Sequence, residues 1–240
     1  MSQADHNSPG WHPTEIRFLV EKRVIEHARD VGELKLVKSR WVYRTLREVF
    51  ITSNGFVIKR FSHFPGRRDL RKVWQKEHRA LERLVDLEVP ASFGYVSTEQ
   101  PDGVTSVAYV RECLDGRPLT QFDEDNLALV ARLLARIHHR GVVTLDPQAE
   151  NFLLCSGNGQ RLAFIDFGRA RCFSTRNPWL FFNIGKEMLR LQREGKLTPA
   201  QFTTYLDHYR KAAGWGAPAW SAIMTSYRLW RWRYQRKDRR

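Results

Sequence analysis

Along residues 41–61, two runs rich in apolar residues are separated by a short polar stretch. β-Branched and aromatic residues dominate both halves of this segment, and Ser53-Asn54-Gly55 between them is typical of a tight turn. The pattern predicts a strand, a turn and a second strand. Because side chains alternate between the faces of a strand, Val57, Lys59 and Phe61 share one face, and Lys59 points the same way as two apolar residues.

Between Arg68 and Leu84 the apolar residues recur with a helical period. Glu77 lies inside the apolar stripe of this predicted helix, where a carboxylate is costly unless it is paired. Periodicity leaves two interpretations open: Glu77 reaches water at the edge of the stripe, or it meets a cation. A further strand is predicted over residues 105–113, and the irregular sequence at 114–118 is a candidate hinge.

The second half of the chain is mainly helical in pattern. A predicted helix follows Asp123 and ends at Gly141, and Thr-Pro-Ala-Gln at 198–201 begins another with a capping residue and a proline. Two short apolar runs flank Ser-Gly-Asn-Gly at 156–159, which is typical of a hairpin turn. The last predicted helix carries an aromatic stripe within a strongly basic sequence.

This order of elements predicts an α+β fold in two lobes. A small strand-rich N-terminal lobe covers residues 14–113, and a mostly helical C-terminal lobe covers residues 114–240, with the basic aromatic helix at its end. Residues 1–13 are polar and are predicted to be disordered.

Composition restricts the class of protein and its partners. With 42% hydrophobic residues the chain is typical of folded globular proteins, and a net charge of +14 predicts an acidic partner: a phosphorylated substrate, nucleic acid or an anionic membrane surface. No apolar run approaches the roughly 18 residues that span a bilayer, and the polar N-terminus does not resemble a signal peptide. A cytoplasmic location is expected, with Cys113, Cys155 and Cys172 as reduced thiols.

Two carboxylates and an amide are predicted to meet at the ends of the small hairpin. Asp146 and Asn151 lie before its first strand, and Asp166 follows its second strand. Magnesium binds such oxygen ligands together with substrate phosphates. We expect Asp166 to ligate the metal, Asn151 to support a second metal position, and Asp146 to accept the proton of an attacking hydroxyl. Lys59 then supplies a cation for phosphates, with Glu77 as its partner.

These residues resemble the motif set of the protein-kinase-like superfamily. The four motifs occur in the superfamily's order and on the required elements: Val-Ile-Lys at 57–59, Glu77 on a helix, Asp-Pro-Gln-Ala-Glu-Asn at 146–151 and Asp-Phe-Gly at 166–168. The resemblance implies that ATP binds between two lobes. It places the adenine against Val57 and the backbone of Glu112 to Leu114.

Within that superfamily the chain is similar to the bacterial lipopolysaccharide core kinases, the heptose and Kdo kinase group that includes toluene-tolerance and InaA-like sequences. The similarity covers about residues 38–195 and rests on VIKRF at 57–61, KEHRALERL at 76–84 and LLARIHHRGVV at 133–143. It implies phosphorylation, dependent on ATP and Mg²⁺, of a heptose or Kdo hydroxyl on the lipopolysaccharide core glycolipid. Such a reaction takes place at the cytoplasmic face of the inner membrane.

Several positions depart from the superfamily pattern. No glycine-rich loop precedes Lys59, and the candidate phosphate-covering turn is KSRWVYR at 38–44. Gln148 replaces the lysine usual in serine/threonine protein kinases, and no Ala-Pro-Glu follows Gly168, which favours a small-molecule or glycan acceptor. Thr144 stands where the superfamily usually has a histidine, so weaker bracing of the loop is expected, although its hydroxyl can still make one hydrogen bond.

The basic C-terminal segment, residues 228–240, leaves three interpretations open. It is an interfacial membrane anchor, a helix with a solvated basic face, or, least favoured, a nucleic-acid surface. Other functions open on the sequence are a pseudokinase or binding module that docks on membrane or RNA, and a RIO-like protein kinase. His138 and His139 point to different sides of a helix, which favours structural or capping roles over joint metal ligation.

Overall fold

The computed structural model describes residues 10–66, 72–155 and 161–238, with no side-chain description for 237–238. The predicted turn at 156–159 and the start of the helix predicted from Arg68 lie outside the described residues. The helices are α1 (Pro13–Glu21), α2 (Val73–Arg83), α3 (Glu124–His139), α4 (Pro178–Glu194), α5 (Pro199–Ala213) and α6 (Ala217–Asp238). The strands are β1 (Lys35–Val42), β2 (Thr45–Ile51), β3 (Phe56–His63), β4 (Ser92–Glu99), β5 (Thr105–Glu112), β6 (Gly116–Pro118), β7 (Val142–Val143), β8 (Phe152–Cys155), β9 (Arg161–Phe164) and β10 (Arg171–Cys172).

The chain divides into two compact units. The first ends at Trp74 and resumes over Ala91–Leu114; the second contains Gln75–Pro90 and the chain from Asp115 onward. The sequence assigns residues 75–90 to the first lobe, whereas their contacts group them with the second unit. The reason is that apolar residues of α2 and the turn after it, Ala80, Leu81, Leu84 and Val89, belong to the second unit's core.

The first unit is built on one antiparallel sheet of five strands in the order β1-β2-β3-β5-β4. The strand pair predicted over residues 41–61 corresponds to β2 and β3, and the turn between them contains Gly55 with φ +86°. Trp41 and Val42 belong instead to the preceding strand β1, which the sequence pattern did not separate from β2.

Helix α1, which the sequence did not predict, covers one face of this sheet. Disorder is expected through residue 13, but α1 begins at Pro13, and the Trp11 ring packs 5.3 Å from Phe50. The fully buried Glu15 carboxylate accepts hydrogen bonds from Arg60 and Ser106, which fastens the helix to β3 and β5. Ordered structure in the described chain therefore starts before residue 14.

The second unit surrounds its core with helices. Helix α3 packs on α5 and α4 packs on α6, while two small antiparallel sheets, β6-β8-β9 and β10-β7, lie beside them. The predicted cap of α5 is confirmed, because the Thr198 side chain accepts from the Gln201 amide. Helix α3 is capped as well, by Asp123, whose side chain accepts from the Asn126 amide. Helices α4 and α6 approach so closely that a Cβ on Gly185 would lie 2.3 Å from the Ile223 carbonyl oxygen.

The aromatic stripe of α6 is largely used for this packing. Ile223 and Tyr227 are buried against α4, and the half-buried Trp220, Trp230 and Tyr234 pack on the same core. Among the described residues, none of the helices is both long enough and apolar enough to span a membrane.

Candidate active site

The first unit carries the residues predicted to bind the nucleotide. Lys59 is a half-buried residue of β3, paired with Val49 on β2 and Tyr109 on β5. It lies on the sheet face of Val57 and Phe61, each 4% exposed, opposite the face that α1 covers. Glu112 and Leu114, at and just after the end of β5, are half-buried.

Glu77 lies on α2 and is 1% exposed. The interpretation in which this carboxylate reaches water is therefore wrong. A buried carboxylate requires partners, which is what the paired interpretation demands. Its pairing with Lys59 stays a prediction, because the two residues belong to different units.

The second unit brings Asp146, Asn151 and Asp166 to one end of the β8-β9 hairpin. The Asn151 amide nitrogen donates to the Asp146 carbonyl oxygen at 2.8 Å, and the Ile165 amide donates to the Asn151 carbonyl oxygen at 3.0 Å. The Gly168 amide donates to Asp166 Oδ1 at 3.0 Å, which orients that carboxylate. The bond from the Ile165 amide to the Asn151 carbonyl thus joins the loop to the residue just before Asp166.

The oxygen atoms of this cluster fit a magnesium ion. Asn151 uses its side-chain nitrogen in the loop, so its side-chain oxygen is the atom that can face a cation. Asp166 is half-buried and adds a carboxylate. Magnesium prefers one or two carboxylate or amide oxygens, with water and substrate phosphates completing its shell.

The surroundings of Asp146 shift the pKa of its carboxylate. Burial raises the pKa of Asp146, Arg169 opposes that rise, and the carboxylates of Asp166 and Glu194 add to it. Arg169 donates to Asp146 Oδ1 at 3.0 Å, while the Asp146 side chain is 13% exposed. Arg169, which directly follows the Asp-Phe-Gly segment, therefore pairs with the Asp146 carboxylate.

A buried carboxylate on α4 braces the loop, and the sequence analysis missed it. Glu187 is 1% exposed, and its Oε2 accepts a hydrogen bond from the Thr144 hydroxyl at 2.9 Å and another from the Leu145 amide. The hydroxyl of Thr144 therefore does make its one bond, to α4. The sequence does contain a signal for this role: Glu187 lies between the apolar residues Ile184 and Leu191 of its helix, and Glu77 is likewise surrounded by apolar positions on α2.

The same carboxylate continues into a hydrogen-bonded chain away from the loop. Trp215 Nε1 can only donate, and it reaches the Tyr209 oxygen at 3.2 Å. The Glu187 carboxylate oxygen Oε1 accepts from His138 Nε2 at 2.8 Å, so in the neutral imidazole Nδ1 is the acceptor, and the buried Tyr209 hydroxyl donates to it at 2.7 Å. His139 contacts the Ala213 carbonyl at 2.8 Å, so both histidines have the predicted structural roles.

Leu145 holds an unusual backbone conformation just before Asp146. Its φ is +58°, in the left-handed region that costs a residue with a Cβ roughly 1–2 kcal/mol. Side chains of α4 hold both ends of this residue, because Glu187 accepts from its amide and Arg190 donates to its carbonyl. Such conformations persist where the surroundings fix them, and they concentrate at functional sites.

The candidate phosphate-covering segment forms most of β1 and the turn after it. Residues 38–42 are in the strand, and Tyr43, which is 58% exposed, occupies the turn with φ +55°. No glycine occurs at the turn, so a non-glycine residue adopts the left-handed conformation there. The strand and turn together expose Lys38, Arg40 and Arg44.

Comparisons with known proteins identify this architecture. No protein-family profile and no curated protein matches the sequence. Solved structures do match: the aminopropanol kinase associated with a microcompartment aligns with a TM-score of 0.56 at 13% identity, covering 88% of this chain and 86% of that chain. Amicoumacin kinase in complex with AMP-PNP, Ca²⁺ and Ami gives 0.54 at 9% identity, with 85% and 80% covered.

A third match is WaaP in complex with acyl carrier protein, with a TM-score of 0.51 at 18% identity, covering 84% of this chain and 91% of that chain. The alignments extend over both units and over most of each matched protein. At these identities they establish the architecture. The chain has the predicted α+β, two-lobed protein-kinase-like fold, with a strand-rich N-terminal lobe and a mostly helical C-terminal lobe.

Proposed function

We propose that this protein is an ATP-dependent kinase that phosphorylates a sugar hydroxyl, of heptose or Kdo, on the lipopolysaccharide core. The observation that carries the proposal is the cluster of Asp146, Asn151 and Asp166 at one end of the β8-β9 hairpin, in a chain with the protein-kinase-like fold. An exposed acid is common on a loop, but two carboxylates and an oriented amide on joined loops are typical of phosphoryl transfer.

Each residue of the cluster has a role in this reaction. Asp146 accepts the proton of the sugar hydroxyl and orients its oxygen toward the γ-phosphate. Arg169 beside it favours the ionised carboxylate against the effect of burial. Asn151 and Asp166 are the residues that would hold Mg²⁺, which would supply neutralising charge for the phosphates.

The first unit supplies nucleotide binding in this proposal. Lys59 orients the phosphates and Glu77 holds Lys59, while Val57 and the backbone of Glu112 to Leu114 contact the adenine. Lys59 suits this role because it lies on the central strand β3, which pairs with β2 on one side and with β5 on the other.

The nature of the acceptor follows from the loop and from the resemblance in sequence. Gln148 offers an amide where a protein kinase has a cation, and it reaches Asp146 Oδ1 only weakly, at 3.4 Å. Two of the structurally similar proteins are named for small-molecule acceptors, aminopropanol and amicoumacin. The motifs of residues 38–195 favour the lipopolysaccharide core, which also fits the net charge of +14.

Nucleotide binding followed by transfer tests the proposal. Magnesium and ATP are expected to raise the melting temperature of the full chain, and Lys59→Met is expected to abolish that rise because the phosphates lose their cation. Arg60→Met is unsuitable as a control because Arg60 is buried, so the exposed Lys35→Met serves instead. Core oligosaccharide incubated with protein and ATP should gain one phosphate by mass spectrometry.

The outcomes separate the candidate functions. No response to millimolar ATP would favour the binding module that docks on membrane or RNA. Phosphate on polypeptide, with none on the oligosaccharide, would favour a RIO-like protein kinase. Nucleotide binding with transfer to neither acceptor class would leave the fold in place and refute the proposed substrate.

Peripheral binding to an anionic membrane belongs to the same proposal and would place the protein in the cytoplasm at the inner membrane. The outer face of α6 exposes Leu229 (39%) and Trp232 (48%) beside the exposed Arg228, Arg231 and Arg236. Aromatic and apolar side chains settle at headgroup depth while arginines meet anionic lipid. The predicted segment 228–240 extends beyond the described residues.

Vesicle sedimentation tests this contact. The double substitution Leu229→Ser and Trp232→Ser is expected to weaken binding to phosphatidylglycerol vesicles about tenfold, because it removes the apolar part of the face. Val85→Ser, at an 81% exposed apolar position on a different surface, is the control. Equal sedimentation of wild type and the double variant would refute membrane contact through α6.

A further inference from the structure

We call residues 144–151, the loop that contains Asp146, the catalytic loop, and cations of α4 lie beside it. Lys186 and Arg190 are one turn apart on α4, so they lie on the same side of the helix. Arg171 on β10 joins them, because its Nη1 donates to Asn183 Oδ1 at 3.4 Å, one turn before Lys186. We call these three cations, Arg171, Lys186 and Arg190, the basic stripe.

The basic stripe reaches the catalytic loop through Arg190. This side chain donates to the carbonyl oxygen of Leu145, the residue immediately before Asp146. Its charge acts on the Asp146 carboxylate, together with that of Arg169. The stripe therefore begins at the residue that receives the proton of the acceptor and extends away from it along α4.

The charges of the basic stripe are not neutralised by acids. Within the described part of the chain, none of the three stripe cations forms a salt bridge with a carboxylate, whereas the neighbouring Arg169 pairs with Asp146. Arg190 Nε is buried and has no hydrogen-bond acceptor. Glu194, one turn after Arg190, is exposed to solvent.

The surroundings of Lys186 disfavour its charged form. Burial lowers the pKa of Lys186, and the neighbouring cations Arg190 and Arg171 lower it further. Its Nζ lies 4.2 Å from the centre of the Trp230 ring of α6, a contact that fixes the ammonium without neutralising it. Like charges held close together disfavour one another's charged form, and a bound anion would relieve that repulsion.

We propose that the basic stripe binds an anionic group of the acceptor, a phosphate or a carboxylate, next to the hydroxyl that Asp146 deprotonates. This inference rests on the proposed function and narrows its substrate class to a negatively charged sugar. Arginine and lysine together suit both anions, since a guanidinium binds two oxygens at once and an ammonium adds a point charge. An acceptor bearing an amine at this position would be repelled by the same cations.

Binding of inorganic phosphate tests the stripe without any catalysis. All proteins carry Lys59→Met, so that binding at the nucleotide lysine does not contribute. The double variant Arg171→Gln and Lys186→Gln is expected to need about tenfold more phosphate for the same rise in melting temperature. Arg190 stays unchanged because it also holds Leu145.

A control removes the same charges elsewhere. Arg132→Gln with Lys211→Gln removes one arginine and one lysine, both exposed, on α3 and α5. This pair should respond to phosphate like its parent. If the stripe variant also responds like its parent, the anion site is refuted, whether or not the protein is a kinase.

Transfer assays identify the anion. Three acceptors share one sugar and differ in carrying a phosphate, a carboxylate or neither group. The stripe variant of the otherwise native chain should raise KM about tenfold for the anion that the site recognises and leave KM for the neutral acceptor unchanged. Equal kcat/KM for charged and neutral acceptors would refute the inference. Phosphate binding that depends on the stripe, without transfer to any acceptor, would instead refute the proposed function alone.

Discussion

Replacing Asp146 with asparagine is expected to lower kcat by about 10²–10⁴-fold. Asparagine has the same shape and can still accept from Arg169, but its amide cannot take a proton from the attacking hydroxyl. ATP affinity should stay unchanged, because in the proposed roles the nucleotide is held by Lys59, Asn151 and Asp166. Steady-state kinetics at saturating acceptor, with ATP binding measured in parallel, gives both quantities.

The matched control for Asp146→Asn is Glu150→Gln in the same loop. Glu150 is exposed on the short turn of residues 149–151, so loss of its charge should change kcat little. A kcat for Asp146→Asn close to that of wild type would contradict the role of Asp146 as the base. Equal losses in both variants would show that loop charge matters and that no single carboxylate acts as base.

Local sequence patterns were sufficient to predict the features that depend on residues close together in the chain. The β-branched and aromatic runs on either side of Ser53-Asn54-Gly55 predict β2 and β3. Asp146, Asn151 and Asp166 come together because their loop and hairpin are close along the chain. Capping signals at Asp123 and Thr198 also depend only on adjacent residues. For these features the forces that decide structure act over a few residues, so the sequence contains them directly.

Features that depend on distant packing were not predictable in the same way. Helix α1 is stabilised by hydrogen bonds that Glu15 accepts from Arg60 and Ser106, residues of two strands much later in the chain. Nothing in the N-terminal sequence indicates that partnership, so its polar composition favoured disorder. Residues 75–90 likewise belong with the second unit because of core contacts, which linear order does not reveal.

The hydrogen bonds that brace the catalytic loop depend both on local sequence and on packing with a distant helix. Thr144 in place of histidine predicts a weaker brace when only the loop is considered. The structure compensates with Glu187, whose carboxylate receives the Thr144 hydroxyl and the Leu145 amide from the loop and His138 from α3. A departure from a family motif therefore has to be judged together with the helix that packs beneath it.

Replacing Glu187 with alanine is expected to lower the free energy of unfolding by about 3 kcal/mol or more, since three buried donors lose their acceptor. It should also lower kcat, because Leu145 loses one of the two side chains that hold its left-handed backbone next to Asp146. Urea unfolding of the full chain measures the first effect. Hydrogen exchange at the loop amides is expected to accelerate, and it reports the loosening of the backbone at Leu145 independently of activity.

A graded series separates the brace from a simple loss of packing. Thr144→Val keeps the side-chain shape and removes one donor, so it should cost about 1 kcal/mol and leave Leu145 held. Glu187→Gln keeps the side-chain volume but replaces one acceptor oxygen with an amide nitrogen, which must face a donor. If packing alone mattered, Glu187→Gln would unfold like wild type and exchange its loop amides at the wild-type rate. If the brace positions Asp146, Glu187→Gln lowers kcat with little change in KM, and loop exchange accelerates in the same order as kcat falls: wild type, Thr144→Val, Glu187→Gln, Glu187→Ala.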